Sequence, residues 1–332
     1  MDIRNTRAMK TFAAERLENS PQEKKIVLIY SGLVLGLALL TTAVRYFLGL
    51  QIDQMGGLGN LGTRTVLSTI QSMLPLVQSL VVLCLDLGYL AAMLRIARGQ
   101  YSSPNTLRLG FDRFWTLLRC VLIQGFLYAG LGIASVYLAS TIFVLSPWGR
   151  PFMEVVASLA TETSLLSPEF VLDEATMAQL MPSMLPMLLM FLISACVLMI
   201  PVSFRLRMAN YVIIDKPGMG AIAALLESRK MMRGNCLKLL KLDLSLWWYF
   251  ALLAAITAIG NADLWLPMFG VTLPVSADVA YFGFYAVSLV LELAAYTFLR
   301  NRIEVTYALA YDAVKPKERK DNTVVLGNIF QM

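Results

Sequence analysis

Six apolar stretches, each close to the ~20 residues a helix needs to cross a hydrocarbon layer ~30 Å thick, dominate the chain. Residues 26–44 carry no charge and the apolar character extends to Leu50, while residues 65–85 continue past one acid to Leu94. Residues 120–146 and 181–204 are uncharged, residues 244–262 are shorter, and residues 279–299 are interrupted only by Glu292. Backbone polar groups in lipid must be paired within their own segment, so stretches of this kind fold as helices. Composition agrees: at 58% hydrophobic and 15% charged, with a mean hydropathy of +0.65, a globule would have too little polar surface to cover itself. The expectation is an all-α polytopic membrane protein with six transmembrane helices, forming one integral-membrane domain over residues 1–332. An N-terminal segment (1–25) precedes the membrane region (26–299), and a tail (300–332) follows it. The first 25 residues are charged throughout and the run after them is too long for a signal-peptide core, so this segment is expected to stay attached.

Basic residues set the expected orientation. Alternating the compartments puts 25 of the 28 Lys and Arg residues on one side, leaving only Arg45, Arg64 and Arg150 for the other. Both termini are therefore expected in the cytoplasm and the protein in a plasma membrane. Trp148, Trp265 and Tyr281 fall at outer ends of the spans, and Trp115 and Trp247–Tyr249 toward inner ends, where amphipathic rings suit headgroup depth. The net charge of +6 belongs to this asymmetry and gives no reason to expect nucleic-acid binding.

Chemistry-bearing motifs are sparse. The chain has no histidine, which excludes triads and metal sites that use it. Cys84, Cys120, Cys196 and Cys236 lie far apart without a C-x-x-C pair and read as small buried hydrophobes. The Gly-rich turn at residues 55–62 follows no strand and precedes no phosphate-binding lysine. No enzyme activity, cofactor or metal is expected.

The longest outer connection, residues 150–180, holds one base against five acids over residues 150–174. Residues 151–166 and 173–180 are expected as short helices separated by Ser167-Pro168-Glu169, forming a solvated loop or a cap for cations or a basic peptide. On the inner side, residues 104–119 and 217–233 read as basic amphipathic helices lying in the interface, with Leu107, Phe111, Phe114, Trp115 and Leu118 on one apolar face and Ile222, Leu225 and Leu226 on the other helix. Ser103-Pro104 would start the first and Gly234-Asn235 would end the second. Met9, Phe12, Ala13 and Leu17 make a fainter third copy, suggesting interfacial helix, span out, span back, three times over.

Within these connections, Arg205-Leu206-Arg207-Met208-Ala209, Asp215-Lys216-Pro217, Glu227 to Asn235 and Leu242-Asp243-Leu244-Ser245 form an ordered string. With Arg95-Ile96-Ala97-Arg98-Gly99, Gly110 to Phe114, and Tyr307 to Asp312, this string resembles the bacterial integral-membrane family known as domain of unknown function 975. The resemblance covers roughly residues 90–312. That family is similar in turn to the membrane domain attached to some glycerophosphodiester phosphodiesterases. The extended outer loop departs from the pattern, as does Leu246-Trp247-Trp248 where an aromatic-Gly step is usual. The resemblance implies a six-span plasma-membrane protein and no reaction.

Two acids lie inside spans. Asp86 and Glu292 sit nine and eight positions before Arg95 and Arg300, about 12–14 Å deep at ~1.5 Å per residue. A charge at depth costs roughly 2.5–3.5 kcal/mol or more, so each invites a role. Either they share a proton or cation, or each is neutral or pairs with a base from the inner ends such as Arg119 or Lys241. Arg205, Arg207, Arg229, Lys230 and Arg233 could hold lipid phosphates or a protein partner. Asp243 reads as a local cap or a partner of Lys241. Gly32-x-x-x-Gly36 suggests a packing seam, and Met177, Met181, Met184, Met187 and Met190 an adaptable packing face. The function these residues point to is a non-enzymatic scaffold or accessory subunit, with anionic lipids, a membrane-protein partner or a second copy as its company. The alternative is a transporter or lipid-handling carrier using Asp86 and Glu292.

Overall fold

The computed structural model describes residues 5–55, 61–162, 174–271 and 275–316. Among these residues the fold is all-helical, and five helices are long and apolar enough to cross a membrane. The short helix α1 (Thr6–Glu18) turns into α2 (Glu23–Gln54), which is followed by α3 (Leu61–Ala97). A 3-10 turn, Pro104–Arg108, and the single-turn α4 (Leu109–Asp112) lead to α5 (Phe114–Leu145). Next come α6 (Gly149–Glu162) and α7 (Glu174–Leu206). The segments α8 (Ala209–Asp215), α9 (Ala221–Met232) and α10 (Cys236–Ser245) connect to α11 (Trp247–Gly260) and the short α12 (Ala262–Trp265). The last pair is α13 (Ala277–Ala295) and α14 (Asn301–Val314), joined by a π-helical turn at Tyr296–Arg300.

Three hairpin pairs, α2 with α3, α5 with α7 and α11 with α13, make the most extensive contacts between helices. The fifth stretch departs from expectation: α10 and α11 meet at a 60° bend at Leu246, so together they give a broken sixth span at most. Along much of the bundle the helices turn apolar side chains outward, as Phe47, Phe126, Ile133 and Leu188 do. The densely buried core lies instead at the end where α1 and α14 meet. There α14 is enclosed on nearly every side, with Ile303, Val305, Thr306, Ala308 and Ala310 all buried.

This core corrects the expectation of interfacial helices lying flat in the headgroups. Met9, Ala13 and Leu17 of α1 are buried against the protein. The segment expected as one helix over residues 104–119 breaks into three pieces, because Leu107 and Gly110 are drawn in against α3. A Cβ on Gly110 would sit 1.8 Å from the Cys84 carbonyl oxygen, and one on Gly88 of α3 would sit 2.2 Å from that of Leu107. Phe111 and Trp115 remain exposed, so the apolar face is split. Likewise α9 buries Ala224, Leu225, Ser228, Met231 and Met232 and leaves Ile222 and Leu226 outside. Gly234, at φ +82°, ends α9 where the sequence placed its stop.

Other expectations also shift. The first outer helix ends at Glu162, and Glu174 opens the long α7 rather than a separate short helix. Ser167-Pro168-Glu169, most of the Gly-rich turn and Lys317, Arg319 and Lys320 lie outside the described residues. A Cβ on Gly32 or Gly36 would meet nothing within 4 Å, so this is no tight seam. Met181, Met184 and Met187 face outward, and so does Cys196, whereas Cys84 and Cys120 are buried.

Candidate functional site

The last helix organises the polar chemistry. Arg300, Glu304, Tyr307, Tyr311 and Lys315 recur every three or four residues, placing them along one stripe. Each step of the stripe meets a different part of the chain, and three arginine-centred clusters result.

The first cluster surrounds Arg300. Its Nη2 lies 3.0 Å from Asp86 Oδ1, and Glu304 Oε1 lies 3.8 Å from its Nε. Tyr30 donates its hydroxyl to the same Asp86 oxygen. The guanidinium sits 4.8, 5.2 and 4.7 Å from the ring centres of Tyr30, Tyr89 and Tyr296, and Tyr30 stacks on Tyr89 at 4.4 Å. A planar, weakly hydrated cation suits such a cage, since each ring face is electron-rich. Asp86 is therefore paired, as one of the two readings required, but with Arg300 in place of Arg119 or Lys241.

The second cluster joins Arg207 to Asp243, whose other oxygen accepts from the Tyr307 hydroxyl at 2.6 Å. The Arg207 guanidinium lies 4.4 Å from the Tyr307 ring centre. Asp243 thus reaches across to α14's face and to the end of α7, correcting its assignment as a local cap or Lys241 partner.

The third cluster is centred on Arg98, placed by the tight stop of α3: Gly99 adopts φ +71°, and Gln100 N–H donates back to the Arg95 carbonyl. Arg98 donates Nη1 to Asp215 at 2.7 Å and grips Asp312 through Nε and Nη2 at 3.0 and 2.6 Å. Lys315 adds 2.7 Å to the second Asp215 oxygen, which also accepts from the Tyr311 hydroxyl at 3.0 Å. The Asp312 hydrogen bonds, ahead of those from Asp215, hold the Arg98 pKa above its ordinary value despite partial burial.

Between the first two clusters lies a cavity of about 330 Å³, bordered by Asp86, Arg207, Tyr249, Arg300, Glu304 and Tyr307. Its lining includes Tyr249 and Phe250 from the first turn of α11 and Arg300 from the π turn. Glu292 is not there. It lines a separate cavity of about 360 Å³ with Asn261, Tyr285 and Ser288, so the two intramembrane acids are not brought together.

The basic residues divide in the same way. Arg207 is turned inward, whereas Arg205 and Arg229 border an outward groove of about 390 Å³ walled by apolar side chains such as Leu127, Val202, Ile222 and Leu226. Lys230 and Arg233 are exposed beyond that groove. Ser228, between the two helices, is buried: its hydroxyl donates to the Arg205 carbonyl at 2.9 Å and accepts from the Met208 N–H at 3.2 Å, fixing the groove's shape. Among the described residues no group of three or more Cys, Asp or Glu side chains could hold a metal ion.

Sequence reasoning missed the tyrosine partners and the role of α14; the three-to-four spacing of polar residues from Arg300 to Lys315 was the available signal. Residues of the recognised string, namely Arg98, Arg207, Asp215, Asp243, Tyr307 and Asp312, are those that build the second and third clusters. No curated protein and no solved structure matches the chain. The family model described as "Protein of unknown function (DUF975)" matches residues 4–318, and the chain belongs to that family.

Proposed function

We propose that this is a non-enzymatic bacterial plasma-membrane protein with six spans and both termini in the cytoplasm, acting as a scaffold or accessory subunit that holds anionic lipid. The observation carrying this reading is the groove at Arg205 and Arg229, two exposed guanidinium groups at the rim of an apolar channel open to the outside of the bundle. A phosphate pairs with Arg forks while acyl chains lie along Ile222 and Leu226, and each nearby cation gains roughly 1 kcal/mol from an anionic surface. Lys230 and Arg233 extend the basic surface. A kinship with the membrane domain of some glycerophosphodiester phosphodiesterases accords with an accessory role, because such a domain accompanies an activity located elsewhere. A protein partner or a second copy is the company expected for a scaffold.

The test is lipid retention by the purified full-length protein. Anionic phospholipid should be enriched over neutral lipid, and Arg205→Ala with Arg229→Ala should lower that enrichment about tenfold, the loss of one to two charge-assisted bonds. Unchanged enrichment in the double variant would refute the assignment.

A second reading, a carrier of solute or lipid, is favoured by one observation: two interrupted helices flank the cavity beside Arg300, the pattern transporters use at binding sites. Loss of proton- or ion-linked uptake in Asp86→Asn or Glu292→Gln protein that still reaches the membrane would support it. Wild-type behaviour of both variants would dismiss it.

A further inference from the structure

A second crevice, of about 750 Å³, lies where the α1–α2 elbow faces the π turn before α14. Its position along the chain is that of a headgroup. Lys24 and Lys25 stand at the start of α2 directly before the apolar run from Ile26, and Leu28 and Phe298 line it with exposed hydrophobic side chains. The crevice therefore straddles the step from charged to apolar surface. A π turn, which bulges the helix wall, forms its opposite side, and such turns concentrate at functional positions.

Two acceptors in its wall are incompletely matched. Asn301 is 3% exposed and its Oδ1 accepts no hydrogen bond among the described residues, although its Nδ2 donates to Glu23. Glu23 is itself buried, with the Asn301 amide as its donor and Lys24 and Arg302 as neighbouring cations, neither of them within ion-pair distance among the described residues. An acceptor and a carboxylate buried together are costly unless a donor, preferably cationic, completes them. At the same crevice, Lys24 and Arg302 are exposed cations, and Glu18 is a further acid at its edge. The lining thus offers acceptors for an ammonium and donors for a phosphate, above an apolar wall for acyl chains.

We infer that this crevice binds a phospholipid whose headgroup carries a protonated primary amine, with the ammonium donating to Glu23 and Asn301 Oδ1 and the phosphate meeting Lys24 and Arg302. The inference requires the chain to sit in a membrane but is independent of the Arg205 groove.

Native mass spectrometry of the full-length protein, offered equal amounts of phosphatidylethanolamine, phosphatidylcholine and phosphatidylglycerol of matched chains, tests it. The quaternary ammonium of phosphatidylcholine cannot donate, so the ethanolamine lipid should be retained about tenfold over it; phosphatidylglycerol has no amine, so in Arg205→Ala/Arg229→Ala protein, where the other groove is disabled, the ethanolamine lipid should exceed it too. Glu23→Gln should erase the preference over phosphatidylcholine. Lys24→Ala with Arg302→Ala, both at exposed positions, should weaken retention of ethanolamine and choline lipids alike. Arg229→Ala should leave the preference intact. Equal retention of ethanolamine and choline lipids by the wild-type protein would overturn the inference, as would displacement of bound lipid by an equal concentration of soluble phosphoethanolamine.

Discussion

Arg98 illustrates how much a single side chain can hold together at this end of the bundle. One planar fork bridges the end of α8 to the end of α14, serving Asp215 and Asp312 at once. Lysine keeps the charge but not the fork, and cannot serve both carboxylates in the same geometry. Arg98→Lys should therefore lower stability by about 1–2 kcal/mol, seen as a reduced thermal midpoint in detergent with unchanged expression. An unaltered midpoint would mean that Lys315 alone suffices at Asp215. The same scale shows what the sequence could tell. Arg205 and Arg207 stand two positions apart, and a helix continued through both would rotate the second by about 200° from the first, although α7 itself ends at Leu206. One must face away from the other, and the structure sends Arg205 out and Arg207 in. Asp86 was legible as an anomaly in an apolar run, but its partner Arg300 lies 214 residues away, beyond the reach of any local pattern.

At the scale of elements, hydrophobic periodicity located the helices well and their neighbours poorly. The segments around residues 104–119 and 217–233 have amphipathic faces, and such a face can be covered by lipid or by protein. Close backbone approach decides for protein here. Gly110 and Gly88 admit no Cβ where the 3-10 turn crosses α3, so alanine at either position should cost about 1–3 kcal/mol through overpacking. Gly32→Ala and Gly36→Ala, with open space at each site, should leave the thermal midpoint unchanged or slightly raised. Comparing the four variants in one melting series separates packing from helix propensity; a loss at Gly32 or Gly36 matching that at Gly110 would contradict the arrangement. The bend at Leu246 left no comparable trace, since neither proline nor glycine marks it and residues 244–262 read as an uninterrupted apolar run.

For the whole molecule, helices long and apolar enough to cross a membrane were legible from the outset, because runs of about 20 apolar residues with few charges mark them. The location of the densest packing was not. Lipid-facing stretches announce themselves by hydropathy, whereas the core formed by α1 and α14 is assembled from segments near opposite ends of the chain. The proposed topology predicts the accessibility of introduced cysteines. With the native cysteines removed, a thiol at Asn235 should resist an impermeant reagent in intact cells, and one at Ser146 should react. The reverse pattern, or equal labelling, would contradict it.

The central placement of α14 also bears on how such a protein is made. In a chain that has grown only as far as residue 299, Arg98 and Asp215 can already pair with each other, whereas Asp86 still lacks its cation. The Arg300 cluster is thus the part of this network that synthesis completes last.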